Sequence, residues 1–503
     1  MRNLKIFWAL AVFAFVVLGA AAVWMGGINQ DEGWYLYAAN LVAEGQMPYR
    51  DFFYTQGPLL PIVYASFSGI WKAFGLLGAR VFTLAIGFAS IAFFCVTAWR
   101  LAPEGRKQES ALVTFFMLGV NLYHLYYLAM PKTYALAACC VAVGCWLLTM
   151  RSAWFTALAA LSFAFAAGAR ISLGVILAAV GLALVFRREW RRVLAFALGG
   201  FAALALVYGP FLLDHDALVG LVVAQQYHAA RGGFDAVFTV GSFSRLIRWY
   251  LPVFIVLGLG VAGMFKSKAK CEGERGNGVN PLFALALDLR LLLVSFLAVF
   301  AVQMLAPFPY EDYQVPIMGL LSVYAAVAFV GNGDTRLSDF DSRLRLLLVL
   351  GLAFATAFGS PLLEKWSTNG QDRFWSLKKE KYELAQLREV AKSVEALDPG
   401  GKTLFTQDLY LAIETNRKVP KGLEMGPFSM LDDAGWRRLI SSADCPVAAI
   451  SGYTFAVEPP KCNERPVSQQ VEYFTLLKKN YSLADRVESF GQNSTTLMLL
   501  KRK

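Results

Sequence analysis

Apolar runs of membrane-spanning length recur through the first 361 residues, and they leave few architectures open. They fall at 6–24, 80–99, 110–128, 133–150, 153–168, 171–186, 193–213, 250–265, 289–306, 314–331 and 344–361. A hydrocarbon core needs about 20 apolar residues wound as helix, because backbone N–H and C=O groups find no water there. The chain therefore reads as a polytopic α-helical membrane protein with about eleven transmembrane helices. Its 503 residues are 57% hydrophobic and 17% charged, with a mean hydropathy of +0.48, which excludes an ordinary soluble domain. Arg2 and Lys5 precede the first run and no small-residue cleavage signal follows it before residue 27, so it reads as a helix and not as a removable leader.

The net charge of +11 sits mostly in short loops. There it sets orientation and points away from nucleic acid. The stretch 58–76, interrupted by Pro58, Pro61, Ser66, Ser68, Gly69 and Lys72, decides the register. If it lies along the outer face, the basic groups at Arg100, Arg106, Lys107, Arg151, Arg187 to Arg192, Lys266 to Lys270 and Arg336 to Arg345 all become cytoplasmic. The amino terminus is then inside. Residues 1–362 form the transmembrane domain with a first outer loop at 26–79, and 363–503 lie outside in a plasma or bacterial inner membrane.

That last region is less apolar and reads as a small extracytoplasmic α/β domain. Leu377, Leu384, Leu387, Ala391 and Val394 recur at helical spacing, while 403–406, 446–451 and 495–500 read as short buried strands. Cys95, Cys139, Cys140 and Cys145 are small core hydrophobes; Cys445 and Cys462 in the outer region are open to two readings, a disulfide or two thiols. Lys266–Asn280 reads as a flexible cytoplasmic loop.

The chemistry falls in the first outer loop. Asp31-Glu32-Gly33-Trp34-Tyr35 follows the first span directly, and carboxylates at a membrane surface need a partner or a reaction. Farther on come Pro48-Tyr49-Arg50-Asp51-Phe52 and Gln56-Gly57-Pro58-Leu59. The arrangement resembles the first outer loop of GT-C class, polyprenyl-phosphate-sugar-dependent glycosyltransferases, of the protein mannosyltransferase and aminoarabinose transferase type (glycosyltransferase families 39 and 83). The resemblance spans most of the chain in architecture, but its motifs match only about residues 27–62 and, more weakly, 307–316. It implies 11–13 spans, an acidic motif in the first outer loop, a lipid-linked sugar donor and an extracytoplasmic acceptor. Where many members carry Lys-Pro-Pro-Leu, this chain has Gln56, so the implied phosphate-binding lysine is absent there.

Such a transfer needs a carboxylate to take the acceptor's proton and a cation to stabilise the departing phosphate. Asp31 is the candidate base and Glu32 a second acceptor or orienting group; a helix cap is the plain alternative for Asp31. Lys132 and Arg170 are candidate phosphate clamps, or else interfacial anchors. Tyr35, Gln56, Tyr310, Glu311 and Tyr313 complete the candidate substrate contacts, with an aromatic belt as the alternative for 310–313. His124, His215 and His228 make no metal pattern; the family's divalent metal has no ligand set here. Gly258, Gly260 and Gly263 match a dinucleotide fingerprint by letter but lie within a span, where close helix packing explains them. Two other classes compete with the transferase: a lipid or sugar transporter, and a non-catalytic receptor or assembly factor.

Overall fold

The computed structural model describes residues 2–229, 233–272, 287–331, 344–354, 382–452, 467–492 and 494–503. Helix α1 (Arg2–Met25) ends at Gly26-Gly27, and α2 (Gln30–Ala43) starts on a capping box in which Asn29 accepts from backbone N–H groups while Glu32 accepts from Asn29 N. These contacts satisfy N–H groups that a helix start otherwise leaves open. The short α3 (Leu59–Ala65) leads into α4 (Gly69–Leu101), which breaks at Gly75, where φ is +64°. Only glycine takes that conformation at little cost.

The bundle continues through α5 (Lys107–Gly119), α6 (Leu122–Ala129), α7 (Thr133–Leu148), α8 (Ala153–Ala169), α9 (Val175–Phe186), α10 (Trp190–Leu213), α11 (His215–Ala229), α12 (Ala236–Trp249), α13 (Leu251–Glu272), α14 (Leu287–Met304), α15 (Met318–Gly331) and α16 (Leu344–Phe354). Four stretches are long and apolar enough to cross a membrane alone: Leu4–Met25, Gly69–Leu101, Trp190–Leu213 and Glu311–Gly331. Two bent pairs (α5 with α6, α12 with α13) and shorter apolar helices supply the rest among the described residues. Each expected span overlaps one of these, the last over 344–354 only, since 355–361 lie outside the described residues, and the protein is a multi-pass membrane protein. Phe13 on α1 and Phe201 on α10 are exposed, whereas the Glu311–Gly331 stretch is almost wholly buried at the centre. Gly260 lets α13 lie directly on α15, since a Cβ there would stand 2.8 Å from Phe329 N.

Several expectations need correction. The run 110–128 bends by 70° where Asn121 caps α6, because its side chain accepts from His124 N and donates to Trp249 O. Between the expected spans 193–213 and 250–265, two helices stand where no apolar run was read, α11 and α12. Residues 266–272, read as loop, extend α13; residues 273–280 lie outside the described residues.

In the carboxy-terminal region, α17 (Glu383–Leu397), α18 (Leu409–Glu414), α19 (Asp433–Ser442) and α20 (Val467–Asn480) accompany an antiparallel sheet. Its order is β1 (Val447–Ser451), β3 (Thr495–Arg502), β2 (Tyr481–Phe490). Strand β2 was not anticipated, because its charged, exposed face hides the alternation. The segment 403–406 forms only isolated bridges, at Thr403 and Phe405. Cys462 lies outside the described residues, and with it the question of its pairing with buried Cys445.

This domain grips α2. Gln30 Nε2 donates to Asp408 Oδ1 at 2.7 Å, Gln30 N to Gln492 Oε1 at 2.8 Å, and Val419 N to Tyr37 Oη at 3.0 Å. Gly33 permits the contact, since a Cβ there would be 2.3 Å from Tyr410 N. Near the break in α4, Leu76 N donates to Glu414 Oε2 at 2.7 Å.

Candidate functional site

Four loop-to-helix junctions meet beside the first turn of α2. Asp31 stands in that turn, Lys132 immediately precedes α7, Arg170 ends α8, and Asp312 opens the short 3-10 turn Glu311–Ile317 before α15.

Lys132 Nζ lies 2.7 Å from Asp31 Oδ2 and 3.5 Å from Asp312 Oδ2. Tyr134 Oη donates to Asp312 Oδ2 at 2.7 Å, and Trp34 Nε1 donates to Asp31 Oδ1 at 3.0 Å. The Arg170 guanidinium carbon is 4.2 Å from the Tyr313 ring centre and 5.0 Å from that of Tyr134. Its buried Nε has no hydrogen-bond partner among the described residues. Burial alone would push the Asp31 carboxyl up, but the Lys132 ammonium, helped by the Trp34 hydrogen bond and Arg170, holds it below the ordinary carboxylate range.

Glu32 points elsewhere. It is fully buried and receives Arg80 Nε and Nη2 at 2.7 Å each, while Arg80 also donates to Val23 O, Gly26 O and Gly27 O. Glu32 Oε1 further accepts from Asn29 N. Its oxygens therefore bind the end of α1 to the start of α2. The cap considered for Asp31 belongs instead to Asn29 and Glu32, which leaves Asp31 for Lys132 and Trp34.

The remaining candidates divide. Tyr35 is buried and stacks on Trp34 with ring centres 3.7 Å apart, and Tyr313 lies under Arg170. Tyr49 Oη donates to Gln56 O, and a Cβ on Gly57 would be 2.1 Å from Gly168 O, so this segment lies against the end of α8 that carries Arg170. Glu311 turns away to Arg245 Nε at 3.1 Å. Tyr310 is exposed beside Phe238 and Tyr313.

Sequence reasoning missed Asp312, Tyr134 and Arg80. A lone arginine within an apolar run was the available signal for Arg80. A divalent cation does not fit these residues: the ammonium of Lys132 already stands between the two carboxylates, and among the described residues no three His, Cys, Asp or Glu side chains group as ligands.

No protein-family profile matches the sequence, and no curated protein matches it. Solved structures do. ArnT from Cupriavidus metallidurans, bound to undecaprenyl phosphate, superposes with a TM-score of 0.59 at 14% identity, covering 98% of this chain and 97% of that one. The protein has the GT-C membrane fold. The apo form of the same ArnT gives 0.59 and 14% over 99% and 97% of the two chains. The Archaeoglobus fulgidus oligosaccharyltransferase in its apo form gives 0.50 and 11%, covering 88% of this chain and 69% of that one.

Proposed function

We propose that the protein is an integral membrane glycosyltransferase that moves a sugar from a polyprenyl phosphate to an extracytoplasmic glycolipid, lipid A, polysaccharide or protein. The observation that carries this reading is Arg170: a half-buried guanidinium packed against two tyrosine rings, with a buried, unused Nε, next to the Asp31–Lys132 pair. A buried donor without an acceptor is costly, and an anion such as a lipid phosphate would supply one.

The donor phosphate competes with Asp31 for Lys132 and takes the Arg170 donor as well. Asp31, released from its lysine, accepts the proton of the acceptor hydroxyl as that oxygen bonds to the anomeric carbon. The bond from the anomeric carbon to the phosphate oxygen breaks, and its electron pair leaves with the polyprenyl phosphate, whose charge the two cations stabilise. Glu32 takes no proton in this scheme; through Arg80 it fixes the helix turn that aims Asp31.

Bound undecaprenyl phosphate in ArnT, a protein of the same fold, supports this reading. It is tested by comparing lipid-linked sugars and envelope glycans by mass spectrometry with and without the gene. A sugar lost from the glycan while its lipid-phosphate form accumulates is expected, restored by the wild type and not by Asp31→Asn. Unchanged pools would refute the transfer.

A further inference from the structure

The first turn of α2, which carries Asp31, is held from two sides. Glu32 and Arg80 tie it to the bundle, and side chains more than 350 positions later in the chain tie it to the carboxy-terminal region. Ile28 N donates to Glu383 Oε2, Gln30 N to Gln492 Oε1 at 2.8 Å, and Gln30 Nε2 to Asp408 Oδ1 at 2.7 Å. A helix start leaves its first N–H groups open, and it is where a helix frays most readily. Here every N–H from residue 28 to residue 32 is taken. Asn29, Asp31 and Glu32 bond within the turn itself, and only the carboxy-terminal side chains close Ile28 and Gln30.

Asp408 is the member whose own helix does not explain it. It stands at the N-cap of α18, where an aspartate ordinarily accepts from the N–H groups that follow it, yet its side chain makes no such bond. Instead Oδ1 takes Gln30 Nε2 and, at 2.9 Å, Tyr410 Oη. Asp408 and Gln30 are 1% and 7% exposed, and a carboxylate buried so deeply is costly to keep. The link joins it to the residue that immediately precedes the candidate base. Gln30 is thereby fixed through both its backbone and its side chain.

We propose that Gln30 and Asp408 are positioning residues for the sugar transfer, through which the carboxy-terminal region sets the turn from which Asp31 meets Lys132. The proposal rests on the transfer reading above. Neither residue touches substrate; both act through the placement of Asp31, and a displacement of about 1 Å at a reacting group costs on the order of 100-fold in rate. Lys132 and Arg170 sit on other helix junctions, so the hold on the donor phosphate is independent of the link.

Kinetics of the purified full-length protein test this, with the lipid-phosphate sugar extracted from cells lacking the gene as donor and their envelope glycan as acceptor. Gln30→Met and Asp408→Leu should each lower kcat roughly 10- to 100-fold with the donor KM unchanged. The double variant should fall no further, since both break one link. In both single variants the acid limb of kcat/KM should move to higher pH, because Asp31 leaves the Lys132 ammonium that, with Arg170, holds its carboxyl down. Loss of the Asp408 charge acting through space would move the limb the other way, and Gln30→Met removes no charge. Asp408→Asn keeps an acceptor oxygen for Gln30 and Tyr410 and should recover most of the rate. Tyr37→Phe breaks the bond from Val419 N to the same helix, about 9 Å farther along it, and should change neither kcat nor the limb. If Asp408→Leu fails to fold, Gln30→Met carries the test. A wild type that transfers no sugar removes the transfer reading and this proposal with it. With an active wild type, an unmoved acid limb in Gln30→Met, or a loss in Tyr37→Phe equal to that in Gln30→Met, overturns the proposal alone.

Discussion

Glu32 and Arg80 form a two-pronged ion pair, 2.7 Å at each contact, sealed from solvent directly behind the carboxylate of Asp31. Removing one member leaves the other charged and buried. Such losses cost about 3–5 kcal/mol. Arg80→Gln and Glu32→Gln should therefore melt well below wild type in detergent, whereas Asp31→Asn should stay close to it. Equal melting temperatures for all three would remove the structural role of the pair.

Arg170→Gln should lower turnover of a polyprenyl-phosphate sugar by roughly 30- to 1000-fold, the loss of about 2–4 kcal/mol of stabilisation of developing charge. Lys132→Gln should fall in the same range. Gln56→Lys introduced into the Arg170→Gln protein is expected to restore part of the rate, since the segment bearing it lies against the end of α8. Full activity in both single variants would assign the clamp elsewhere.

The pH profile follows from the same cations. Lys132 and its neighbours hold Asp31 below the usual carboxylate range, so the base form is complete at neutral pH and is lost only as pH falls through that lowered value. In Lys132→Gln the burial that pushes the carboxyl up loses its main opponent, so the acid limb of kcat/KM should move to higher pH. An acid limb in the same place as wild type would show that Lys132 does not tune Asp31.

Gly33→Ala puts a methyl group 2.3 Å from Tyr410 N and 2.7 Å from the Leu409 carbonyl carbon. Both are backbone atoms, so the carboxy-terminal region must shift from α2. Amide exchange across 407–413 should accelerate while the apolar helices stay protected. Exchange at the wild-type rate would mean that the contact yields without cost.

An alkaline phosphatase fusion after Lys503 should be active, given the charge in the loops between spans. An inactive fusion with a bright cytoplasmic reporter at the same point would invert the topology.

The apolar helices were legible because hydrocarbon imposes one simple demand, a long apolar run, on each of them. The GT-C architecture was legible as a resemblance, carried by the motifs of the first outer loop. At the site, Asp31 stood out as one of a carboxylate pair and Lys132 and Arg170 as lone cations at span ends, and the structure does bring them together. Choosing among neighbouring residues was harder. Glu32 and Asp31, or Glu311 and Asp312, differ by one position, about 100° around an α-helix and about 120° around a 3-10 turn, and that rotation decides which faces the site and which faces Arg80 or Arg245. Helices α11 and α12 were hidden for another reason: at 15 and 14 residues, with polar positions among the apolar ones, neither makes an apolar run of spanning length, and β2 was hidden by its exposed, charged positions.

The break at Gly75 bears on how the chain is made. Leu76 N, at the start of the regular part of α4, is held by Glu414, 338 residues later in the chain. While ribosomes are still producing the intervening helices, that early helix end has no Glu414 to close it. Assembly of this early part of the chain is thus completed only once the region around Glu414 has been made, and a chain stalled before it would carry an open helix end that a membrane protease could recognise.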